Sequence, residues 1–387
     1  MTASLYTHIP FCVSKCAYCD FYSVPAVPGD PALARYVDWL LADIGGKIAR
    51  YGVTAVPSVY VGGGTPSILG TDGIARLLSF VTAGTERASE ERPVPVLPDA
   101  EITVEANPDT LDEPFLMTCK KHGVTRISIG VQTFNDACRN TVGRPGNGNM
   151  TEEKLALLNG IFPGAFSADL MSGLPGQNER VLLTDIERLL KYRPAHVSLY
   201  DMIPHGTVSG LLPEDRKAAL WITGRDALLN AGYEQYEVSN FSLAARARSA
   251  HNIRYWLMQS WIGAGTTASG TVIDDGKCAG IRETDSRVES LDSGTLMRET
   301  FLMGFRYCEG PDADLFRRRF HRSVEDTIPA SLAKWEKRGV IRKGETKPTQ
   351  NGLLFLDAFL RDCFAEAPWG TSLGVAVRSS PAGGANP

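Results

Sequence analysis

Over roughly its first two hundred residues the chain repeats a short apolar or β-branched run, a turn, and a stretch of helical periodicity. That order is the signature of parallel β/α units, in which each helix carries the chain back across a sheet in a right-handed crossover. The strand candidates are SLYTHI, SVYVGG, EITVEA, TRISIG, FSADLM and HVSLY, beginning at Ser4, Ser58, Glu101, Thr125, Phe166 and His196. Their composition predicts strands buried on both faces. Between the first two, Asp30 is placed to cap a helix and Pro31 suits its first turn, while Leu33, Tyr36, Val37, Leu40, Leu41 and Ile44 make one apolar stripe. A second helix follows Thr71 with Ile74, Leu77, Leu78 and Val81 on one face, and a later one carries Val181, Leu182, Ile186, Leu189 and Leu190.

The chain has room for more than one domain at 387 residues. The spacing predicts a β/α core over 1–205, mixed short segments over 206–290, a helical module over 291–377 and a disordered tail over 378–387. Charged and proline-rich Thr85 to Asp99, TERASEERPVPVLPD, reads as a surface insertion before the third strand. In the last module SLAKWEKRG, VIRKG, KPTQNG and LLFLDAFL give helix, short hairpin and helix, an order like a winged helix. Basic residues are not concentrated there, so it reads as a packing module rather than a nucleic-acid reader. The expected architecture is an α/β fold, a partial six-unit β/α barrel with a smaller C-terminal helical, winged-helix-like module.

A formal net charge of −4 gives no basic face for nucleic acid or anionic lipid. No apolar run approaches the roughly 20 residues of a membrane span, and MTASLYTHIPFC lacks the pattern of a signal peptide. The expectation is a cytoplasmic protein that does not span a membrane, with room for transient membrane association. Eight cysteines are too few and too scattered for a disulfide framework. Cys119, Cys138, Cys278, Cys308 and Cys363 are dispersed and read as small hydrophobes or spectators.

The other three cluster. In THIPFCVSKCAYCDF, Cys12, Cys16 and Cys19 follow the first strand directly. Closely spaced thiolates at a strand's carboxyl end can converge on one iron–sulfur cubane, and three of them leave one iron without a protein ligand. A structural zinc site is the competing reading; it wants four ligands, and the nearby His8 sits inside the predicted strand. Polar residues stand at the following strand ends: GGGTPS with Gly63, Gly64 and Thr65, then Glu105, then Gln132 with Arg144 in VGR, then Asp169. Packing alone does not account for polar residues at four successive strand ends, where a β/α barrel builds its site.

The Cys-x3-Cys-x2-Cys motif after a first strand resembles the radical S-adenosylmethionine superfamily. The resemblance implies a [4Fe-4S] cluster on Cys12, Cys16 and Cys19 and S-adenosylmethionine chelated at the open iron. It also implies an electron donor for the cluster and one-electron cleavage to a 5′-deoxyadenosyl radical. It further implies cofactor contacts at Tyr6, Tyr18, Gly63, Gly64, Thr65, Glu105, Gln132, Arg144 and Asp169.

The order HIPFC, CDF, GGGTPS, VEANPDTL, SIGVQTFND, DLMSGLPGQ, HVSLYDM and YEVSNF is similar to the coproporphyrinogen-oxidase-like branch and covers nearly the whole chain. Its oxygen-independent coproporphyrinogen III oxidases, enzymes of porphyrin biosynthesis, carry a further cysteine two residues after the third ligand, where this chain has Phe21. Phe21 and HNIRYW, His251 to Trp256, match the haem-chaperone family instead. That match implies haem binding involving His251 and delivery of haem to acceptors such as respiratory enzymes, with radical decarboxylation of a porphyrinogen as the alternative. Two positions depart from the family pattern: Ser269 stands where a histidine is expected, and His205 where an acidic residue is expected.

Overall fold

Each of the six apolar runs becomes a strand in the computed structural model, which describes residues 1–86, 94–203, 208–285, 287–367 and 378–379. They are β1 (Ser4–Ile9), β2 (Val56–Gly63), β3 (Val96–Ala106), β4 (Arg126–Gln132), β5 (Phe166–Ser172) and β6 (His196–Asp201). All pair in parallel and in sequence order, as right-handed β/α crossovers dictate. The short antiparallel β7 (Glu234–Gln235) and β8 (Asn240–Ser242) extend the β6 edge.

The β1 edge carries β9 (Trp261–Ala264), a seventh parallel strand absent from the sequence reading. It has only four residues, two of them small, and Gly265 at φ 104° ends it, so it lacks the length that marks a strand in sequence. Beyond it an antiparallel meander, β10 (Ser269–Asp274), β11 (Ala279–Thr284) and β12 (Arg287–Leu291), extends the sheet.

Helices α1 (Pro31–Arg50), α2 (Gly70–Glu86), α3 (Glu113–Lys121), α4 (Asp136–Thr141), α5 (Gly148–Ile161) and α6 (Glu179–Leu190) lie in the crossovers. In α1 the Asp30 carboxylate accepts from the Ala32 amide at 2.8 Å, satisfying one of the orphan donors of the first turn. Its face of Leu33, Val37, Leu40 and Ile44 is buried against the sheet, where each side chain contributes about 1.5–3 kcal/mol.

A correction concerns the middle segment, expected to hold only short pieces. It contains the 17-residue α7 (Glu214–Asn230), whose apolar residues are spread around the helix rather than along one stripe. Gly224 lets it lie close, since a β-carbon there would stand 2.9 Å from both Leu182 and Leu199. Leu220 and Leu228 join the barrel core, as do Tyr233, Phe241, Ile262 and Ala264 further along the segment. The short α8 (Ala250–Trp256) then crosses beneath the barrel.

A second core forms around Phe301, Phe316, Trp335 and Phe359, on the helices Ser293–Gly304, Ala313–Phe320, Pro329–Glu336 and Leu356–Glu366. The expected hairpin reduces to one bridge, Ile341 with Pro348. The predicted insertion ends inside β3, and its residues 87–93 lie outside the described residues. Of the predicted tail, Arg378 and Ser379 pair with Val288 and Arg287; residues 380–387 lie outside the described part. No helix among the described residues is long and apolar enough to cross a membrane.

Candidate functional site

Alternation along the barrel strands separates two environments. Outward, Val59, Val61, Ile102, Val104, Ile127, Ile129, Ala168 and Leu170 pack beneath the helices. Inward, Tyr60, Thr103, Glu105, Ser128, Ser167 and Asp169 face a cavity of about 440 Å³ that opens at the strands' carboxyl ends. Both faces are buried, as predicted, but the inner one is polar.

The cysteine loop forms one wall of this cavity, with Cys12, Cys16 and Cys19 all lining it. Its backbone is pinned at several points. The Ala17 amide donates to Val142 O at 3.0 Å and the Cys19 amide to Cys16 O at 3.0 Å, while Phe11 and Cys12 pair in parallel with Val24 and Pro25. The glycine turn packs directly against it: a β-carbon on Gly64 would stand 2.6 Å from Phe11 O, and Gly63 adopts φ 113° with the His8 ring where its side chain would go. The Cys12 thiol lies 3.3 Å from the Thr65 hydroxyl. Burial pushes the Cys12 and Cys19 thiols up from their ordinary values, so a bound metal would have to hold them as thiolates. Among the described residues no three His, Cys, Asp or Glu side chains are placed as ligands of one ion. A cubane does not require that, because each of its irons takes a separate thiolate.

The strand-end residues meet the loop across the cavity. Glu105 accepts from the Tyr60 hydroxyl at 2.6 Å and from the Gly63 amide at 3.1 Å. Burial drives its carboxyl up to about 7 against those bonds, with nearby Asp169 adding to the rise. Asp169 is raised by burial to about 6. Gln132 sits at the irregularity where β4 meets β5, with φ 65°, and its buried Oε1 has no partner. Arg144 donates to Gly130 O, to the Tyr18 hydroxyl at 3.0 Å and to Asn107 Oδ1 at 3.3 Å, yet its buried Nε also lacks one. Orphaned buried groups cost about 1–3 kcal/mol each. Strained backbone, two orphaned atoms and carboxyls that titrate near neutrality fit a site shaped for a polar ligand beside a metal cluster.

Two predicted contacts stand elsewhere. Tyr6 lies behind the cavity, stacked on Tyr60 and hydrogen-bonded to His8 Nδ1 at 2.9 Å. His251 is fully buried below the floor, with Nδ1 at 2.9 Å from Ser58 Oγ and Nε2 at 2.7 Å from the Tyr255 hydroxyl. Ser58 gives its own proton to Ser4, so the ring carries its proton on Nδ1 and accepts from Tyr255. Burial lowers its pKa to about 3, keeping it neutral. The α8 amides of Ala250 and His251 donate to Glu101, which also pairs with Arg126 at 3.1 Å. From HNIRYW, Asn252 reaches the cavity in place of His251. Ser269 bonds Thr284 at 2.9 Å within the meander, and His205 lies outside the described residues.

Sequence reasoning missed Thr103, Ser128, Ser167, Ser198 and Asn252 in the cavity lining. The signal was present, since TVE, RISIG, FSAD and HVSLY each alternate polar with apolar. The dispersed cysteines are all free thiols, with Cys119, Cys138 and Cys363 buried.

The model of the Radical SAM superfamily matches residues 6–189. The chain is 36% identical over 293 residues to the heme chaperone HemW of Escherichia coli (strain K12), covering 73% of this chain and 74% of that one. It is 34% identical over 312 residues to the mouse mitochondrial radical S-adenosyl methionine domain-containing protein 1 (Mus musculus), covering 78% and 67%. Among solved structures, coproporphyrinogen III oxidase (HemN) from Escherichia coli, a radical SAM enzyme, superposes with a TM-score of 0.73 over 94% of this chain and 90% of that one. At 19% identity that likeness establishes the fold. The thiolate loop, the strand-end cavity and these kinships together place the chain in the radical S-adenosylmethionine superfamily, in the family of the heme chaperone HemW.

Proposed function

We propose that this protein is a haem chaperone that holds a [4Fe-4S] cluster on Cys12, Cys16 and Cys19, binds S-adenosylmethionine in the strand-end cavity, and passes haem to acceptor proteins. The observation that carries the cofactor part is the meeting of the three-cysteine loop with the unpartnered Gln132 Oε1 and Arg144 Nε across one cavity. When bound, the cluster supplies an electron and an open iron. Gly63 and Gly64 bring backbone close to the ligand without side-chain bulk, and Thr65 stands beside Cys12. Arg144 is suited to a carboxylate, while Glu105 and Asp169 can accept from an ammonium or from ribose hydroxyls. Tyr18, held by Arg144, covers the loop from the side.

The chaperone part rests on the relatives named heme chaperones and on Phe21. That ring is 62% exposed beside the loop, at the place of the extra cysteine in the decarboxylating enzymes. The expected setting is cytoplasmic, with an electron donor for the cluster and respiratory enzymes among the acceptors. Reduced, reconstituted protein incubated separately with haem and with coproporphyrinogen III tests the reading. A stable haem complex and no decarboxylated product are expected. Decarboxylation without a haem complex would make the protein a porphyrinogen oxidase instead.

A further inference from the structure

We propose that haem lies outside the cofactor cavity, on an apolar rim formed by Val13, Phe21, Tyr22, Val24, Val27 and Ile203. The inference rests on the chaperone reading and adds a place to it. The cavity of about 440 Å³ is of a size that takes a single small ligand. Once S-adenosylmethionine occupies that space, a macrocycle has none. Nor does the motif histidine offer an iron ligand, because His251 is sealed below the floor with both ring nitrogens bonded.

The rim has the opposite character. Val13, Phe21 and Ile203 line the cavity mouth, and Tyr22, Val24 and Val27 continue the segment that Phe21 begins. Val27 and Ile203, each 64% exposed, and Phe21 at 62% are the three most exposed of the large hydrophobic side chains among the described residues. Exposed large hydrophobes at a cavity mouth, here Val13, Phe21 and Ile203, mark a binding face. The segment is also held in place: His8 Nε2 meets Tyr22 O at 2.9 Å, and the Val24 and Ala26 amides donate to Pro10 O and Cys12 O, both at 2.8 Å. A surface fixed before binding loses little freedom when a rigid flat ring settles on it.

Charge points to the same occupant. Lys15 lines the mouth, is exposed, and makes no ion pair among the described residues, which suits a macrocycle edged with carboxylates. A ligand on this rim can be handed on without opening the barrel.

Haem titrated into anaerobically reconstituted protein, followed by its Soret absorbance, tests the location in wild type, in the double variant Val27→Ser with Ile203→Ser, and in Lys15→Ala. Iron per chain is measured alongside; both substituted apolar side chains are mostly in solvent, so cluster content is expected to stay at the wild-type level. The double variant is expected to bind haem roughly tenfold more weakly or worse, the loss of two apolar contacts. Lys15→Ala should weaken haem but leave haem dimethyl ester unaffected. Wild-type affinity in the double variant overturns the rim while leaving the chaperone reading intact. Failure of the wild type to bind haem sinks both.

Discussion

In the C-terminal module Phe301 and Phe316 stack at 5.3 Å, and Phe305 meets Phe359 edge-on at 4.7 Å. In the barrel lumen, by contrast, carboxyls, hydroxyls and a guanidinium converge, and Thr103 Oγ1, Gln132 Oε1 and Arg144 Nε are buried without partners. The first interior is built for stability, since packed rings contribute through area and geometry. The second gives stability away, with each orphan costing about 1–3 kcal/mol. An interior whose polar groups lack protein partners is one that a ligand completes, and the contrast therefore separates scaffold from site.

Substitutions on each side can break that contrast. Phe359→Ala should have the largest effect, a loss of about 3–5 kcal/mol in urea unfolding, with S-adenosylmethionine affinity of the folded protein unchanged. A change in affinity would show that the two regions are coupled. Glu105 sharpens the comparison from the lumen side. Its folded pKa is raised from 4.5 to about 7, so between those values the folded state keeps a proton that the unfolded chain releases. Stability should accordingly fall as pH rises through that window, by roughly 3 kcal/mol at most. Glu105→Gln should flatten that fall, and an undiminished slope in the variant would assign the titration to another group.

His251→Ala removes the partner of both Ser58 and Tyr255 and should cost about 2–3 kcal/mol. Cofactor affinity should hold, because the ring lies below the cavity rather than in it; a large loss of affinity would return His251 to the site. Asp30→Ala, which removes the α1 cap, should cost about 1 kcal/mol in the same unfolding assay and leave binding untouched.

The sequence showed the barrel wherever one rule governed. Val59, Val104 and Ile129 announce strands because nothing but packing acts on them, and Asp30 with Pro31 marks a helix start by local chemistry alone. Reading failed where two demands overlapped. Ser128, Ser167 and Ser198 occupy strands that count as buried on both faces, so their inward polarity was averaged away. The helix Glu214–Asn230 touches the barrel through a small contact at Gly224 and needs no clean stripe. His251 shows the limit of a motif, since the pattern pointed to a helix at the cavity but not to which of its side chains meets it.

The three-cysteine loop stands out in sequence because three thiols so close together have few uses other than holding a metal, and the structure places all three in the cavity lining. The most direct test of the account is anaerobic reconstitution followed by electron paramagnetic resonance of the reduced protein before and after adding S-adenosylmethionine. About four irons per chain are expected, absent in Cys16→Ala, with a spectrum that shifts when the cofactor takes the open iron. Bound zinc without iron uptake, or a spectrum indifferent to S-adenosylmethionine, would contradict it.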